Sequence, residues 1–288
     1  MTIAIVGATG RIGSAVAQGL LKAGHPVRAL VRDPGKASRL FGQASGVEIY
    51  QAQFADPGAL AKGLAGASTV FLAMGSIGEE ANLQRAVIHA VASGPEFQQL
   101  VRLSVLNAGP DSLGINQRGH WSIDSAAQAA EIPYTTIRPS IWTSSIMAGA
   151  PEIRATRTWT GLADTGLVAL SHPGDTVEVA IRVLNDPSTW AQHHEVTGPQ
   201  QLTWPGALQI LSDELGEKVT FRTAGAYELL QRLIKAGVAP GMAELLITRE
   251  WAIMASENER ITTTVRDLTG HEPRTVEEFM HESRDSFL

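Results

Sequence analysis

Apolar residues in the first two thirds of the chain follow two alternating rhythms. Short β-rich runs at 2–6, 27–31, 47–51, 69–74, 100–104 and 134–138 predict strands, with 167–170 and 195–197 as two further candidates. Between them Ile12, Val16 and Leu20 recur every fourth residue, as do Leu83, Val87 and Val91, so each set lies on one helical face. Ser93-Gly94-Pro95 is a stop signal after the second set. Asp56-Pro57 ahead of Leu60 and Leu64 reads as an N-cap with proline at the first helical position. A helix near 122–130 is crowded with alanine, which suits close packing on a sheet. The early strands show no clean two-residue alternation, as expected of strands covered on both faces. The fold class this predicts is α/β, a Rossmann-type doubly wound parallel sheet with right-handed crossovers.

After Gly198 the texture changes to amphipathic helical stretches near 204–215, 226–236 and 242–255, punctuated at 237–241. The expected organisation is a dinucleotide-binding core over 1–150, with 165–198 returning to it, and a smaller, mainly helical substrate-side domain over 199–288. Open α/β sheets bind ligands outside the carboxyl ends of their strands, so the helical part is expected to form one wall of a cleft.

The segment Gly7-Ala8-Thr9-Gly10-Arg11-Ile12-Gly13 follows the first strand and opens the first helix. A tight turn calls for glycine at Gly7, and Gly10 allows the backbone to approach a pyrophosphate. Gly13 lets helix and strand pack, and the helix N-terminus offers free amides to anionic oxygen. The second strand reports on the dinucleotide. It ends in Arg32-Asp33-Pro34, with Lys36 close behind, where an NAD-preferring chain usually places an acid for the ribose 2′-hydroxyl. Arg32 is suited to gripping a 2′-phosphate bidentately, with Arg11 adding charge. Asp33 is the competing acid, which Pro34 is expected to turn outward. NADP(H) is expected over NAD(H).

These residues belong to a longer ordered set: Gly7 to Gly13, Val31 to Pro34, Asp56 to Leu60, Leu103-Ser104, Ile132 to Pro139, and Thr269-Gly270 on to Phe279. Together they resemble the atypical short-chain dehydrogenases of the NmrA-like group, on its quinone oxidoreductase and triphenylmethane reductase branch. The resemblance runs nearly end to end. It implies that Gln53 and Phe54 lie beside the adenine, although relatives often carry an aspartate where Gln53 stands. It also implies a histidine or lysine followed four residues later by an acid, here His120 and Asp124, and it is compatible with a homodimer.

Standard short-chain dehydrogenases move protons with a Tyr-x-x-x-Lys pair. Four residues after Tyr50, Tyr134 and Tyr227 stand Phe54, Arg138 and Gln231, so that pair is absent. His120 and Asp124 share a helical face, and a histidine with ordinary titration near pH 6.5 is suited to donating a proton to a substrate oxygen. His120 is therefore the candidate acid, with the alternative that it only lines the cleft. Ser104 is a candidate hydrogen-bond partner of the same oxygen. The strand ends Met74-Gly75, Ser104 and Pro139-Ser140 are expected to line the cofactor pocket. Trp142, Met147 and Trp159 either floor an apolar substrate site or pack in the core, and Trp251 with Met254 reads as core or a cleft wall. His193-His194-Glu195 looks metal-like, but adjacent strand side chains point to opposite faces, so no metal is expected.

Composition narrows the classes. The 288 residues carry 23 Lys+Arg against 29 Asp+Glu, a net charge of −6, and no cysteine. A nucleic-acid or membrane partner is not expected, because phosphate neutralisation needs a basic face. Thiolate metal sites, disulfides and cysteine nucleophiles are excluded. The first residues read as a strand and not as a signal peptide, so the expected location is cytoplasmic. Three functions remain. The first is an NADPH-dependent reductase of a quinone-like, aromatic or conjugated carbonyl substrate. The second is an NADP(H)-binding regulator or redox sensor without turnover. The third is a tailoring reductase or isomerase of one metabolite.

Overall fold

The structure is a computed structural model that describes residues 2–42, 44–94 and 97–288. The first half alternates β1 (Ile3–Val6), α1 (Arg11–Lys22), β2 (Val27–Val31), α2 (Pro34–Phe41), β3 (Val47–Gln51), α3 (Pro57–Leu64), β4 (Thr69–Leu72), α4 (Gly78–Ala92), β5 (Gln99–Leu103), α5 (Ile115–Ala129) and β6 (Tyr134–Pro139). Then follow α6 (Ala150–Thr156), β7 (Thr158–Gly161), α7 (Pro173–Asn185), β8 (His193–Val196), α8 (Trp204–Leu215), β9 (Thr220–Thr223), α9 (Ala226–Lys235), α10 (Pro240–Met254), α11 (Thr264–Thr269) and α12 (Val276–Ser283).

Seven strands form one sheet in the order β3-β2-β1-β4-β5-β6-β8. The pairings from β3 through β6 are parallel. Along β8 the bonds Thr136 N to Gln192 O and Ser140 N to Val196 O advance by four residues on both strands, so this edge is parallel too. The expected doubly wound sheet is therefore present. Its direction of winding reverses between β1 and β4, which places a topological switch point at the ends of those strands.

The helical periodicities land where the pattern put them. Ile12, Val16 and Leu20 are buried on α1, and Leu83, Val87 and Val91 on α4. Asp56 caps α3 by accepting from the amides of Gly58 and Ala59. Ser93 ends α4; Pro95 of the expected stop signal lies outside the described residues. Gly19 lets α1 approach closely, since a Cβ there would stand 2.3 Å from Ile181 Cδ1.

Two compact units emerge, each made of three segments. One comprises 1–104, 119–138 and 176–194; the other comprises 105–118, 139–175 and 195–288. By that division 105–118 and 139–175 fall in the second unit, and 176–194 falls in the first. In the first unit Leu30, Phe54, Leu60, Leu72, Val87, Leu100 and Ile123 belong to one buried cluster. In the second, Trp159, Trp204, Leu208, Leu211, Phe279 and Phe287 belong to another.

Two details differ from the sequence reading. Residues 167–170 form no strand; Val168 makes an isolated antiparallel bridge to Leu202, and Ala169 N donates to Asn258 O. The run is apolar because it is buried, with Val168, Ala169 and Leu170 at most 1% exposed. The second unit also contains a parallel two-stranded sheet, β7 with β9, of which β9 falls in the stretch expected to be mainly helical. Among the described residues no helix is long and apolar enough to cross a membrane.

Candidate functional site

The glycine loop is built at the switch point. Gly7 has φ +90°, and a Cβ there would stand 2.1 Å from the carbonyl oxygen of Ala73, at the end of β4. A Cβ on Gly13 would stand 2.2 Å from Gly7 O, whereas one on Gly10 meets nothing nearer than the same oxygen at 3.2 Å. Gly7 and Gly13 are thus demanded by the fold, while a Cβ on Gly10 would make a tight contact that a shift of a few tenths of an ångström relieves. Gly10 is also the N-cap of α1, with no side-chain cap hydrogen bond and no acid in the first turn. First-turn amides have no intrahelical acceptor, so this end is suited to an anion. A diphosphate fits this backbone cradle. Thr9 is half-buried, Arg11 exposed and Ile12 buried in the same loop.

One strand away, Arg32 and Lys36 are exposed, and among the described residues neither side chain makes an ion pair or hydrogen bond. The carboxylate of Asp33 is engaged otherwise: it accepts from Lys36 N at 3.0 Å and caps α2. An acid committed to a cap is poorly placed to serve a ribose hydroxyl as well. Gln53 is exposed, and Phe54 is 5% exposed within the first unit's core cluster. The carbonyls of Met74 and Gly75, after β4, accept from the fully buried Gln84 amide at 3.4 and 2.6 Å. Pro139 is buried at the end of β6.

The second part of the site is a buried polar node at the carboxyl ends of β5 and β6. Gly119 makes it possible: a Cβ there would stand 2.4 Å from Ser76 O, so only glycine lets α5 come this close to the loop after β4. His120 follows directly and is 7% exposed. Asp124, one turn on, sits against two guanidinium groups. Arg102 Nε lies 3.2 Å from Asp124 Oδ1, and Arg138 Nη2 lies 3.2 Å from Asp124 Oδ2. Ser104 donates its hydroxyl hydrogen to Asp124 Oδ2 at 2.9 Å. His120, Asp124 and Ser104 are therefore brought together as the sequence suggested, but the hydrogen of Ser104 is committed to Asp124.

Arg102 is the residue that sequence reasoning missed. It is fully buried in the middle of the sheet, pointing at His120. Both terminal nitrogens lie 3.1 and 3.0 Å from His120 Nδ1, and Nη2 also donates to His120 O at 2.9 Å. A guanidinium has only donors, so Nδ1 of His120 accepts, and the ring hydrogen is on Nε2. Burial, then Arg102, then Arg138 push the imidazole well below its ordinary titration range. Burial lowers Arg102 itself to about 10, against the opposing pull of Asp124, which leaves it charged at neutral pH. The imidazole of His120 is thus neutral at pH 7. It can donate a hydrogen bond from Nε2 but holds no imidazolium proton to give.

The remaining candidates disperse. Trp159 packs in the second unit's core, edge-on to Trp204 with ring centroids 5.2 Å apart, and Met147 packs against the same cluster. Trp142 is half-buried. Trp251 and Met254 are exposed on α10 and are not core. His193 Nδ1 pairs with Thr136 Oγ1, His194 Nε2 with Thr189 O, and Glu195 with Arg260.

Comparison with known proteins places this arrangement. A Streptomyces griseus protein named (4-alkanoyl-5-oxo-2,5-dihydrofuran-3-yl)methyl phosphate reductase is 29% identical, over 99% of both chains. Quinone oxidoreductase 2 of Escherichia coli is 28% identical over 96% of both chains. The solved structure of the NADPH-dependent quinone oxidoreductase from Escherichia coli, complexed with NADPH, superposes with a TM-score of 0.90. That superposition covers 97% of this chain and 99% of that one, at 26% identity. The model of the NmrA-like family matches residues 1–280. The chain belongs to the NmrA-like family.

Proposed function

We propose that this protein is an NADPH-dependent oxidoreductase that reduces a quinone-like, aromatic or conjugated carbonyl compound. The observation that carries the reading is the pairing at the switch point. A cradle of backbone amides, kept clear by Gly10, stands one strand from Arg32, whose side chain has no partner among the described residues and whose neighbouring acid is committed to a cap. Gly7, Thr9, Gly10, Arg11, Ile12 and Gly13 would hold the diphosphate, and Arg32 with Lys36 the 2′-phosphate. Gln53 and Phe54 would lie beside the adenine, and Met74, Gly75 and Pro139 along the remainder of the dinucleotide. A bound nicotinamide supplies hydride chemistry, and the protein supplies position and a water-poor surrounding. His120 faces the acceptor oxygen as a neutral Nε2–H donor, with Ser104 holding Asp124 beneath it. The names of the relatives support the substrate class, since a quinone and an alkanoyl-oxodihydrofuran phosphate are both carbonyl compounds.

The test is binding followed by turnover. NADPH is expected to bind more tightly than NADH, and Arg32→Ala to weaken NADPH about tenfold while leaving NADH nearly unchanged. Oxidation of NADPH is then followed by absorbance across a panel of quinones and conjugated ketones. Tight binding without reduction of any acceptor points instead to a dinucleotide sensor. Equal affinity for the two dinucleotides removes Arg32 from its role.

A further inference from the structure

We propose that Arg102 is a positioning residue for the reduction: it fixes His120 as the Nε2–H tautomer and gives the buried node one excess positive charge, so that the oxyanion formed on the acceptor is stabilised without a proton from the protein. This rests on the reductase reading above and assigns a role to a residue that the family resemblance does not single out.

The argument starts from charge. Arg102 on β5 and Arg138 on β6 each contribute +1 and Asp124 contributes −1, so the sum is +1. Tyr134 is the other titratable group coupled to this node; burial raises it above 10, so it is neutral. Arg102 is completely buried and Asp124 nearly so. A charge imbalance in such surroundings is costly and is weakly screened by salt. A site that keeps one carries a permanent positive potential, suited to negative charge that appears only during reaction.

Geometry then directs that potential. Arg102 holds both the ring and the backbone carbonyl of His120. Protonating Nδ1 would set N–H against N–H and cation against cation across about 3 Å, a separation at which like charges repel strongly outside bulk water. The open ring nitrogen is therefore Nε2, always bearing hydrogen. In the reaction a hydride carries two electrons from NADPH to the acceptor, leaving NADP⁺ and a negative charge on the acceptor oxygen. His120 Nε2–H hydrogen-bonds that oxygen, and solvent provides the proton that completes the product. Histidine and arginine thus replace the absent tyrosine–lysine pair by electrostatics instead of proton transfer.

Two measurements test this on the full chain. The first is ¹⁵N nuclear magnetic resonance of the histidine rings, with His120 assigned through His120→Gln. The expected pattern is a neutral Nε2–H tautomer that persists from roughly pH 8 down to 5. A protonation midpoint inside that range, or an Nδ1–H tautomer, overturns the proposal. This measurement needs no turnover, so it stands apart from the success or failure of the reductase reading.

The second is the pH profile of kcat. In the wild-type protein it is expected to be flat through the ordinary histidine range. In Arg102→Met, kcat is expected to fall at least tenfold at pH 7.5, and the protonation midpoint of the His120 ring to rise above its wild-type position while staying below 6.5, because burial and Arg138 still lower it. A purely structural Arg102 would lower stability and leave that midpoint and the Nε2–H tautomer unmoved, and that result sinks the proposal. Should Arg102→Met not fold, the wild-type profile and the ring nitrogens decide, because an acid limb near pH 6.5 in either contradicts the model. If NADPH binds and no acceptor is reduced while the ring pattern is as expected, the activity is wrong and the tautomer assignment survives.

Discussion

The glycine loop and the Arg102 node stand at the carboxyl ends of strands in the same sheet, yet they are made by opposite means. The loop is almost wholly backbone. Its specificity lies in what is missing, since two of its glycines leave room for Ala73 and Gly7 carbonyls and the third leaves room for a ligand. The node is almost wholly side chain, and its specificity lies in charges withdrawn from water. A site of the first kind fails through collision, one of the second through an unpaired charge, and the two failures have different sizes and signatures.

The largest effect is expected at Asp124. Asp124→Leu leaves the fully buried Arg102 and the half-buried Arg138 without a counter-ion, which should cost about 3–5 kcal/mol of stability. Denaturant unfolding measures it; a loss below about 1 kcal/mol would mean that the guanidinium groups are solvated in solution.

The glycines sharpen the contrast at intermediate size. Gly13→Ala drives a Cβ into a backbone carbonyl and is expected to cost about 1–3 kcal/mol as an overpacking defect. Gly10→Ala, with its nearest neighbour at 3.2 Å, is expected to cost less than about 1 kcal/mol, in line with an exposed helix terminus. It should nonetheless lose NADPH affinity by calorimetry. Equal affinity in Gly10→Ala and wild type would remove the diphosphate from this turn.

The smallest effect is one of pH. The folded-state pKa of His120 is depressed below 6.5, so above 6.5 folded and unfolded chains are both neutral there. As pH falls below 6.5 the unfolded chain takes up a proton that the folded one refuses, and stability falls. From pH 7 to pH 5 the wild type should lose about 1–2 kcal/mol more than His120→Gln. His194 is lowered in the same direction, which is why the comparison with the variant is needed. Parallel pH curves for the two proteins would show that His120 titrates freely.

This contrast also explains what could be read from the residues alone. The loop is local: seven consecutive residues, each constrained by a turn, a strand end or a helix start, so its pattern is visible in the chain. The same holds for the Asp33 and Asp56 caps, each followed by proline. The node draws on residues 18, 22 and 36 positions beyond Arg102 (120 − 102, 124 − 102 and 138 − 102), and no local period links them. The available signal was a charged residue inside the apolar run Leu100-Val101-Arg102-Leu103, since arginine almost never enters a covered strand unpaired. The pair β7 and β9 escaped for another reason. Each has four residues, and β9 is mostly exposed, so neither burial nor length marks it as a strand.

The alternating segments of the two units have an evolutionary corollary. Six stretches taken in turn require five passages of the chain from one unit to the other. No single crossover between two genes can replace one unit whole and leave the other untouched: a join at or before 104, or at or after 194, keeps one unit from a single parent and mixes the other, and a join between those points mixes both. Swapping one unit cleanly for a relative's therefore takes a join at every one of those passages.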